Sequence, residues 1–217
     1  MRDIALRAVE ELKRKYDPEF IILYGSVARA DFTEDSDIDL AVFCKVPGAS
    51  NDVRVFEGKQ LDCWIYLDTE AKPENNGFLR LAGGELVLDK NGAGKRFLDG
   101  VNAKFQAGPA PVTPDSREHL VEWSKKTLKR AEKSDIEAKY RQTELLFSSL
   151  ELYFKLRDLW FTGPKNSFKW LEANDNPTYK LFEAAFADPT NLDKLRHLTS
   201  AVSTHKQIST SAPDWSG

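Results

Sequence analysis

The sequence lacks the marks of a membrane-spanning, a secreted or a disordered chain. Its mean hydropathy is −0.49, and no apolar run approaches the roughly 18 residues of a membrane span. The N-terminus, Met1-Arg2-Asp3, is polar and therefore unlike a secretory signal. Aromatic residues make up 11% of the chain, which is more than a disordered protein carries. We therefore expect a folded, cytoplasmic protein.

The sequence also has few cysteines and histidines and only a small net charge. The two cysteines, Cys44 and Cys63, stand in apolar runs, which is typical of buried free thiols in a reducing compartment. The three histidines are scattered and indicate no metal cluster. A net charge of −3 and a pI of about 5.7 give no sign of a broad basic surface, so a long nucleic acid is not the expected partner.

The first half of the chain alternates amphipathic helices with short apolar strands. The spacing of apolar residues predicts a helix over 2–16 that ends at Asp17-Pro18. Two strand-like runs on either side of Gly58-Lys59 indicate a hairpin. The predicted strands are 20–24, 38–44, 53–56, 61–67 and an edge strand over 86–88, and a helix over 95–105 closes this half.

The second half contains no comparable strand. The segment Ala107–Pro114 is rich in proline and small residues and is typical of a linker. Helices are predicted over 116–134, 136–161, 167–173, 178–187 and 190–206, with a frayed tail from Ser209. We therefore predict an α+β fold class, with a mixed-sheet domain over 1–108 and a helical bundle over 109–217. Trp160 and Phe161 fit either the bundle core or the interface of a homodimer.

The most informative residues are two aspartates at the start of an apolar strand. Asp37 and Asp39 flank Ile38, and residues two apart in a strand point to the same side of the sheet. Two neighbouring carboxylates repel one another unless a cation lies between them. Mg²⁺ prefers such oxygen ligands and completes its shell with water and substrate phosphates.

Two further features belong with this pair. Gly25-Ser26 follows an apolar strand, and a strand that turns there into a helix leaves backbone N–H groups free to bind an anion such as phosphate. Arg29, one turn later, adds a cation. Asp62 opens another apolar strand, and if that strand lies beside the one carrying Asp39, three carboxylates converge as two-metal chemistry requires.

These residues resemble the DNA polymerase β-like nucleotidyltransferase superfamily. Tyr24-Gly25-Ser26, Asp37-Ile38-Asp39 and Leu61-Asp62-Cys63 follow its motif in order and spacing. Arg29 fits the variant of the bacterial minimal and antibiotic, kanamycin-type, branch. The resemblance covers about 18–68 of the chain. It implies a cytoplasmic enzyme that transfers a nucleotide, AMP from ATP by preference, to a hydroxyl of a small acceptor such as an antibiotic, with two Mg²⁺ ions.

The resemblance also implies roles for single residues. Asp37, Asp39 and Asp62 would be both catalytic residues and metal ligands, and Gly25 and Ser26 would bind the triphosphate together with Arg29. In the helical domain, which would bind the acceptor, Lys165 could reach the triphosphate, and Trp170 either stacks on a base or lies in the bundle core. A glutamate of the long helix, Glu144 or Glu151, could serve as base or simply face solvent.

Other functions use similar residues. A protein-modifying nucleotidyltransferase, for example an antitoxin that adenylylates a partner protein, would carry the same carboxylates. A nucleotide-binding module that has lost catalysis is a further alternative, although all three carboxylates are present. A polynucleotide polymerase is disfavoured by the short chain and its acidic charge balance.

Overall fold

The computed structural model describes residues 1–46, 48–133 and 135–204, and the predicted frayed tail from Ser209 lies outside them. It confirms the α+β class, with a five-stranded mixed sheet flanked by helices and a helical C-terminal region. No helix among the described residues is long and apolar enough to cross a membrane. The strands are β1 Phe20–Tyr24, β2 Ile38–Cys44, β3 Asn51–Phe56, β4 Lys59–Leu67 and β5 Glu85–Asp89; the helices are α1 Arg2–Tyr16, α2 Gly25–Ala28, α3 Ala93–Ala107, α4 Pro114–Ala131, α5 Ile136–Lys155, α6 Pro164–Asn174, α7 Asn176–Ala187 and α8 Leu192–Ser203.

The sheet has the order β3-β4-β2-β1-β5. β2 runs parallel to β4, whereas the other neighbouring strands are antiparallel. β5 lies at one edge, as the sequence predicts, and β3 lies at the other. The chain therefore places the starts of β2 and β4 beside the end of β1, at one end of the sheet.

Each face of the sheet is covered by different elements, because side chains along a strand alternate between the two faces. α1 covers one face with Ala5, Ala8, Val9 and Leu12, which pack on alternate residues of the central strands. The opposite face packs against α3 and a 3-10 helix over Asn76–Leu81 through a cluster rich in aromatic rings. Tyr24, at the end of β1, belongs to this second face.

The cysteines are both free and buried, as predicted. Cys44 and Cys63 pack in the core beneath α1. Burial, the main cause, raises the pKa of Cys44 to about 11 and that of Cys63 to about 12. Both thiols therefore stay protonated at neutral pH, and since the thiolate is the reactive form, neither is a nucleophile.

The helical elements α4 to α8 belong to a second compact unit, which begins in the chain at Gly108, after a first unit that ends at Ala107. Its core is centred on fully buried Tyr153, Phe154 and Phe182. The guanidinium of Arg157 lies 3.8 Å from the centre of the Tyr153 ring. Arg157 also donates hydrogen bonds to the backbone carbonyls of Ala201, Val202 and Thr204. It thereby supplies hydrogen-bond donors to carbonyl groups at the C-terminal end of α8 that have no partner within the helix.

Several predicted boundaries were wrong. The long helix ends at Lys155 instead of continuing to 161, because the chain turns at Asp158, which has a φ of 54° and accepts hydrogen bonds from the backbone of Val112 and from Arg117. The hairpin turn is centred on Glu57-Gly58, one residue earlier than predicted, and both strands are longer than predicted. α4 ends at Ala131 rather than at 134.

The edge strand β3 is attached to α1 through one buried carboxylate. Asp52 is only 8% exposed and accepts hydrogen bonds from Lys15 at 2.8 Å, Arg54 at 2.9 Å and Tyr16 at 3.1 Å. Burial acts to raise the pKa of Asp52, but these three donors outweigh it and hold the pKa below its usual value. The ionised form is therefore the one that stabilises the fold.

We expect Asp52→Asn to lower the free energy of unfolding by about 1–3 kcal/mol at pH 7, because charge-assisted hydrogen bonds are lost from a buried site. Because the folded pKa is depressed, this contribution is complete above the unfolded value of about 3.9 and disappears as the pH falls through the folded value. Urea unfolding at pH 7 and again at about pH 3 measures the difference. Asp99→Asn, at an exposed position on α3, is the control and should change neither; a gap between Asp52→Asn and the unsubstituted protein that widens in acid would contradict the assignment.

Candidate functional site

The turn after β1 is shaped around a glycine. Gly25 begins the short helix α2 with a φ of +72°, a backbone conformation that residues other than glycine rarely adopt. A Cβ atom at this position would lie 2.1 Å from Oδ2 of Asp39 and 2.9 Å from its Cγ. The backbone at Gly25 and the carboxylate of Asp39 are therefore in close contact, and only glycine leaves room for it.

Asp39 and Asp62 are direct neighbours across the sheet. They are Cα partners in the register of the parallel strands β2 and β4, which are about 4.8 Å apart. Partners in register point to the same face, here the face of Tyr24 and the aromatic cluster, because alternate residues of β2 such as Ala41 belong to that cluster. Both residues are half-buried, and the register supplies the neighbouring strands on which the predicted convergence of carboxylates depends.

Asp37 is less constrained. It stands just before β2, two residues from Asp39, and it is exposed. Within residues 1–46, 48–133 and 135–204, no three His, Cys, Asp or Glu side chains form a group that could hold a metal ion. Asp39 and Asp62 thus form a pair, and a third ligand from Asp37 requires its exposed side chain to turn toward them. Carboxylate oxygens are the donors that Mg²⁺ prefers, so the residues present fit that ion.

Ser26 and Arg29 lie on the same turn as Gly25. Ser26 is 6% exposed, and its carbonyl accepts a hydrogen bond from the backbone of Asp31. Nε of Arg29 lies 3.6 Å from Oδ1 of Asp31, so the predicted phosphate-binding cation already has an acidic neighbour. α2 has only four residues, so the predicted phosphate site depends on the backbone of the Gly25 turn rather than on a helix dipole.

Tyr24 completes the row of side chains across β1, β2 and β4. It pairs with Asp39 in the antiparallel register of β1 and β2, and it is 7% exposed. Burial, the main cause, raises the pKa of Tyr24; Arg80 opposes this, and the negative charges of Asp39 and Asp62 add to it. The Tyr24 hydroxyl is therefore a proton donor at neutral pH and not a base.

One residue near this row is absent from the sequence prediction. Arg80 lies on the 3-10 helix over Asn76–Leu81, and its guanidinium carbon is 5.9 Å from the ring centre of Tyr24, 5.5 Å from that of Trp64 and 6.0 Å from that of Tyr66. Arg80 also donates a hydrogen bond to the Tyr66 hydroxyl. The period-2 spacing of Asp62, Trp64 and Tyr66 on β4 is the one sequence signal that would have indicated a shared face.

The predicted site residues of the helical unit can be described only within that unit. Lys165 is exposed in the first turn of α6. Trp170 is 3% exposed and packs against Tyr153 and Phe154, so the alternative that it stacks on a base is wrong and the alternative that it lies in the bundle core is confirmed. On α5, Glu144 accepts a hydrogen bond from Arg141 at 2.9 Å, whereas Glu151 is exposed.

No curated protein matches the sequence. Among the solved structures that match is a nucleotidyltransferase-like protein from Exiguobacterium sibiricum 255-15, with 13% sequence identity and a TM-score of 0.39 over 91% of this chain and 74% of that chain.

A family model gives the more specific finding. Residues 7–71 match the family described as "Polymerase beta, Nucleotidyltransferase". That range contains Gly25, Ser26, Asp37, Asp39 and Asp62. The match supports a nucleotidyltransferase activity in general, and it supports placing residues 7–71 in the polymerase β nucleotidyltransferase superfamily.

Proposed function

We propose that the protein is a Mg²⁺-dependent nucleotidyltransferase that moves the nucleoside monophosphate of an NTP, ATP by preference, to a hydroxyl of a small acceptor. The observation that carries the proposal is the register of β2 and β4. It sets the carboxylates of Asp39 and Asp62 side by side, with the Gly25 turn in contact with Asp39. This pair lies within the residues that match the polymerase β family model.

The three carboxylates would hold two cations with different roles. Asp37 and Asp39 would hold the cation that accompanies the triphosphate, and Asp39 with Asp62 would hold a second one on the acceptor side. When bound, Mg²⁺ lowers the pKa of the acceptor hydroxyl and offsets the charge that develops in the transition state. Asp62 stands on β4, on the far side of Asp39 from β1, and we propose that it accepts the hydroxyl proton.

The reaction is a single displacement at phosphorus. The acceptor oxygen forms a bond to the α-phosphorus, and the bond from that phosphorus to the bridging oxygen breaks, so pyrophosphate leaves. The acceptor proton passes to Asp62 and then to solvent. The backbone at Gly25 and Ser26 would bind the β- and γ-phosphates, Arg29 would add charge to that end of the site, and Lys165 is proposed as a further cation.

A small-molecule acceptor of the kind used by the kanamycin-type branch is the narrower proposal. The helical unit would bind that acceptor, and Glu144 or Glu151 would be candidates for an additional base. Glu144 is paired with Arg141 whereas Glu151 is exposed, so Glu151 is proposed as the first of the two to test. If the acceptor is instead a protein, the same carboxylates would transfer AMP to a side-chain hydroxyl.

A labelled-nucleotide screen tests the proposal. The purified chain is incubated with each α-labelled NTP, Mg²⁺ and a panel of hydroxyl-bearing small molecules, or with a cell extract, and Asp37→Ala is run in parallel. We expect transfer of label that needs Mg²⁺ and falls by at least about 100-fold in Asp37→Ala, because the metal acts on the transition state. Label on a protein band would favour the protein-modifying alternative. Failure to bind any Mg²⁺–NTP in a calorimetric titration would refute the enzyme assignment.

A further inference from the structure

The surroundings of Arg80 are unusual for an exposed arginine. Its guanidinium lies among the rings of Tyr24, Trp64 and Tyr66, at 5.5 to 6.0 Å from each ring centre. Contacts of this kind hold the cation in place by attraction to the ring faces. The hydrogen bond to the Tyr66 hydroxyl fixes its orientation further. Arg80 is therefore a positioned cation rather than a free surface side chain.

The position of this arginine relative to the carboxylates follows from the strand register. Asp62, Trp64 and Tyr66 alternate along β4 and so share one face. Tyr24 is the register partner of Asp39, which is in turn the partner of Asp62. Arg80 contacts Tyr24 of this row and the two rings that follow Asp62 on β4, so it lies on the same face of the sheet as the carboxylate pair.

Arg80 has no carboxylate as a direct ion-pair partner in the part of the chain that the structure describes. Its side-chain hydrogen bond there goes to the neutral Tyr66 hydroxyl. Most of its N–H groups are therefore open to a ligand, and a guanidinium binds carboxylate or phosphate oxygens in pairs. The residue Trp64 is 38% exposed, and an exposed aromatic ring can stack with a planar group.

Building on the proposed function, we propose that Arg80, Trp64 and Tyr66 form the acceptor subsite, and that this subsite takes a planar ring bearing an anionic group. The ring would stack on Trp64, and Arg80 would bind the phosphate or carboxylate. A positioned guanidinium without an ion-pair partner among the described residues favours an anionic group over a cationic one beside Trp64, since like charges at close range repel. An acceptor of this kind differs from the polycationic antibiotic that the kanamycin-type resemblance implies, so this proposal replaces that narrower one while still resting on nucleotidyl transfer.

A binding measurement tests this subsite without any catalytic turnover. The five indole N–H signals of the tryptophans are recorded by NMR, and Trp64→Phe identifies the signal of Trp64. Phenyl phosphate, benzoate, benzyl alcohol and benzylamine are then titrated separately. We expect the anionic probes to shift the Trp64 signal with the lowest Kd, and phenyl phosphate against benzoate shows which anion is preferred. Arg80→Gln should raise the Kd for the preferred anion by at least about tenfold.

The control is Arg96→Gln, at an exposed arginine of α3, which should leave the binding unchanged. The other four indole signals report that Arg80→Gln stays folded. Equal binding of benzylamine and phenyl phosphate, or equal anion binding by Arg80→Gln and the unsubstituted chain, would overturn the proposal.

A second titration separates this subsite from the nucleotide site. Phenyl phosphate should still shift Trp64 when a non-hydrolysable ATP analogue with Mg²⁺ is present in excess, and Arg80→Gln should bind that analogue within about twofold of the unsubstituted chain. Competition between the two ligands would place Arg80 in the nucleotide site and overturn the acceptor assignment. Absence of analogue binding with intact anion binding would count against the proposed function while supporting the subsite.

Discussion

Asp39→Asn is expected to lower kcat for nucleotidyl transfer by at least about 1000-fold, equivalent to about 4 kcal/mol of transition-state stabilisation. Asp39 is the residue at which the three elements of the site meet. It pairs with Asp62 across β2 and β4, pairs with Tyr24 across β1 and β2, and contacts the backbone of Gly25. Asparagine keeps the shape of the side chain and removes its charge, so the loss reports on cation binding rather than on packing.

The measurement is steady-state transfer of label from the preferred NTP, with NTP binding followed separately by calorimetry. We expect kcat to fall far more than binding weakens, because the cation acts mainly on the charge that develops during reaction. Asp3→Asn, at an exposed position on α1, should keep full activity. An Asp39→Asn protein with full turnover would show that this carboxylate does not hold the catalytic cation.

The acidic constellation could be predicted from sequence only in part. The apolar runs around Asp39 and Asp62 indicate neighbouring central strands, but Asp37 stands before β2 and is exposed, so the rule that residues two apart in a strand share a face does not fix its side chain. The sequence does not give the register that makes Asp39 and Asp62 direct partners. That register depends on the hairpin of β3 and β4 returning the chain beside β2, which the turn at Glu57-Gly58 determines.

Arg80 could not be predicted in the same way. The chain between β4 and β5 forms short 3-10 helices, which have no amphipathic period long enough to show which side faces the sheet. Phe78 and Leu81 anchor the second of these helices in the core, and this anchoring brings Arg80 over the rings of Tyr24 and Trp64. The placement is a tertiary effect, visible only once the aromatic face is assembled.

The end of α5 was predicted wrongly, because the sequence suggests a helix that is longer than the one observed. An apolar stripe that continues to Trp160, followed by Gly163-Pro164, suggests one long helix, but hydrophobic spacing does not report a turn held by long-range hydrogen bonds. Asp158 accepts from the backbone of Val112 and from Arg117, both more than 40 residues earlier in the chain. Those contacts stabilise the left-handed conformation at Asp158 and end the helix at Lys155.

Gly25→Ala is expected to lower the transfer rate by at least about 100-fold, because a misplacement of about 1 Å in a catalytic group has an effect of that order. The added methyl group would lie 2.1 Å from Oδ2 of Asp39, so either the carboxylate or the turn must move. The left-handed φ of +72° adds a stability cost of about 1–2 kcal/mol for a residue with a Cβ. These two effects must be separated before the loss of activity can be attributed to Asp39.

Gly58→Ala provides that separation. Gly58, in the turn between β3 and β4, has a φ of +78°, and a Cβ built there meets nothing within 4 Å. Both alanine substitutions therefore strain the backbone to a similar extent, and only the one at Gly25 displaces the carboxylate of Asp39. Thermal or urea unfolding should show destabilisation of both variants, greater in Gly25→Ala by the cost of moving Asp39 or the turn, whereas transfer of label should be lost only in Gly25→Ala. If the two variants lost activity in equal proportion, backbone strain alone would explain the effect. The contact between Gly25 and Asp39 would then not be needed for catalysis.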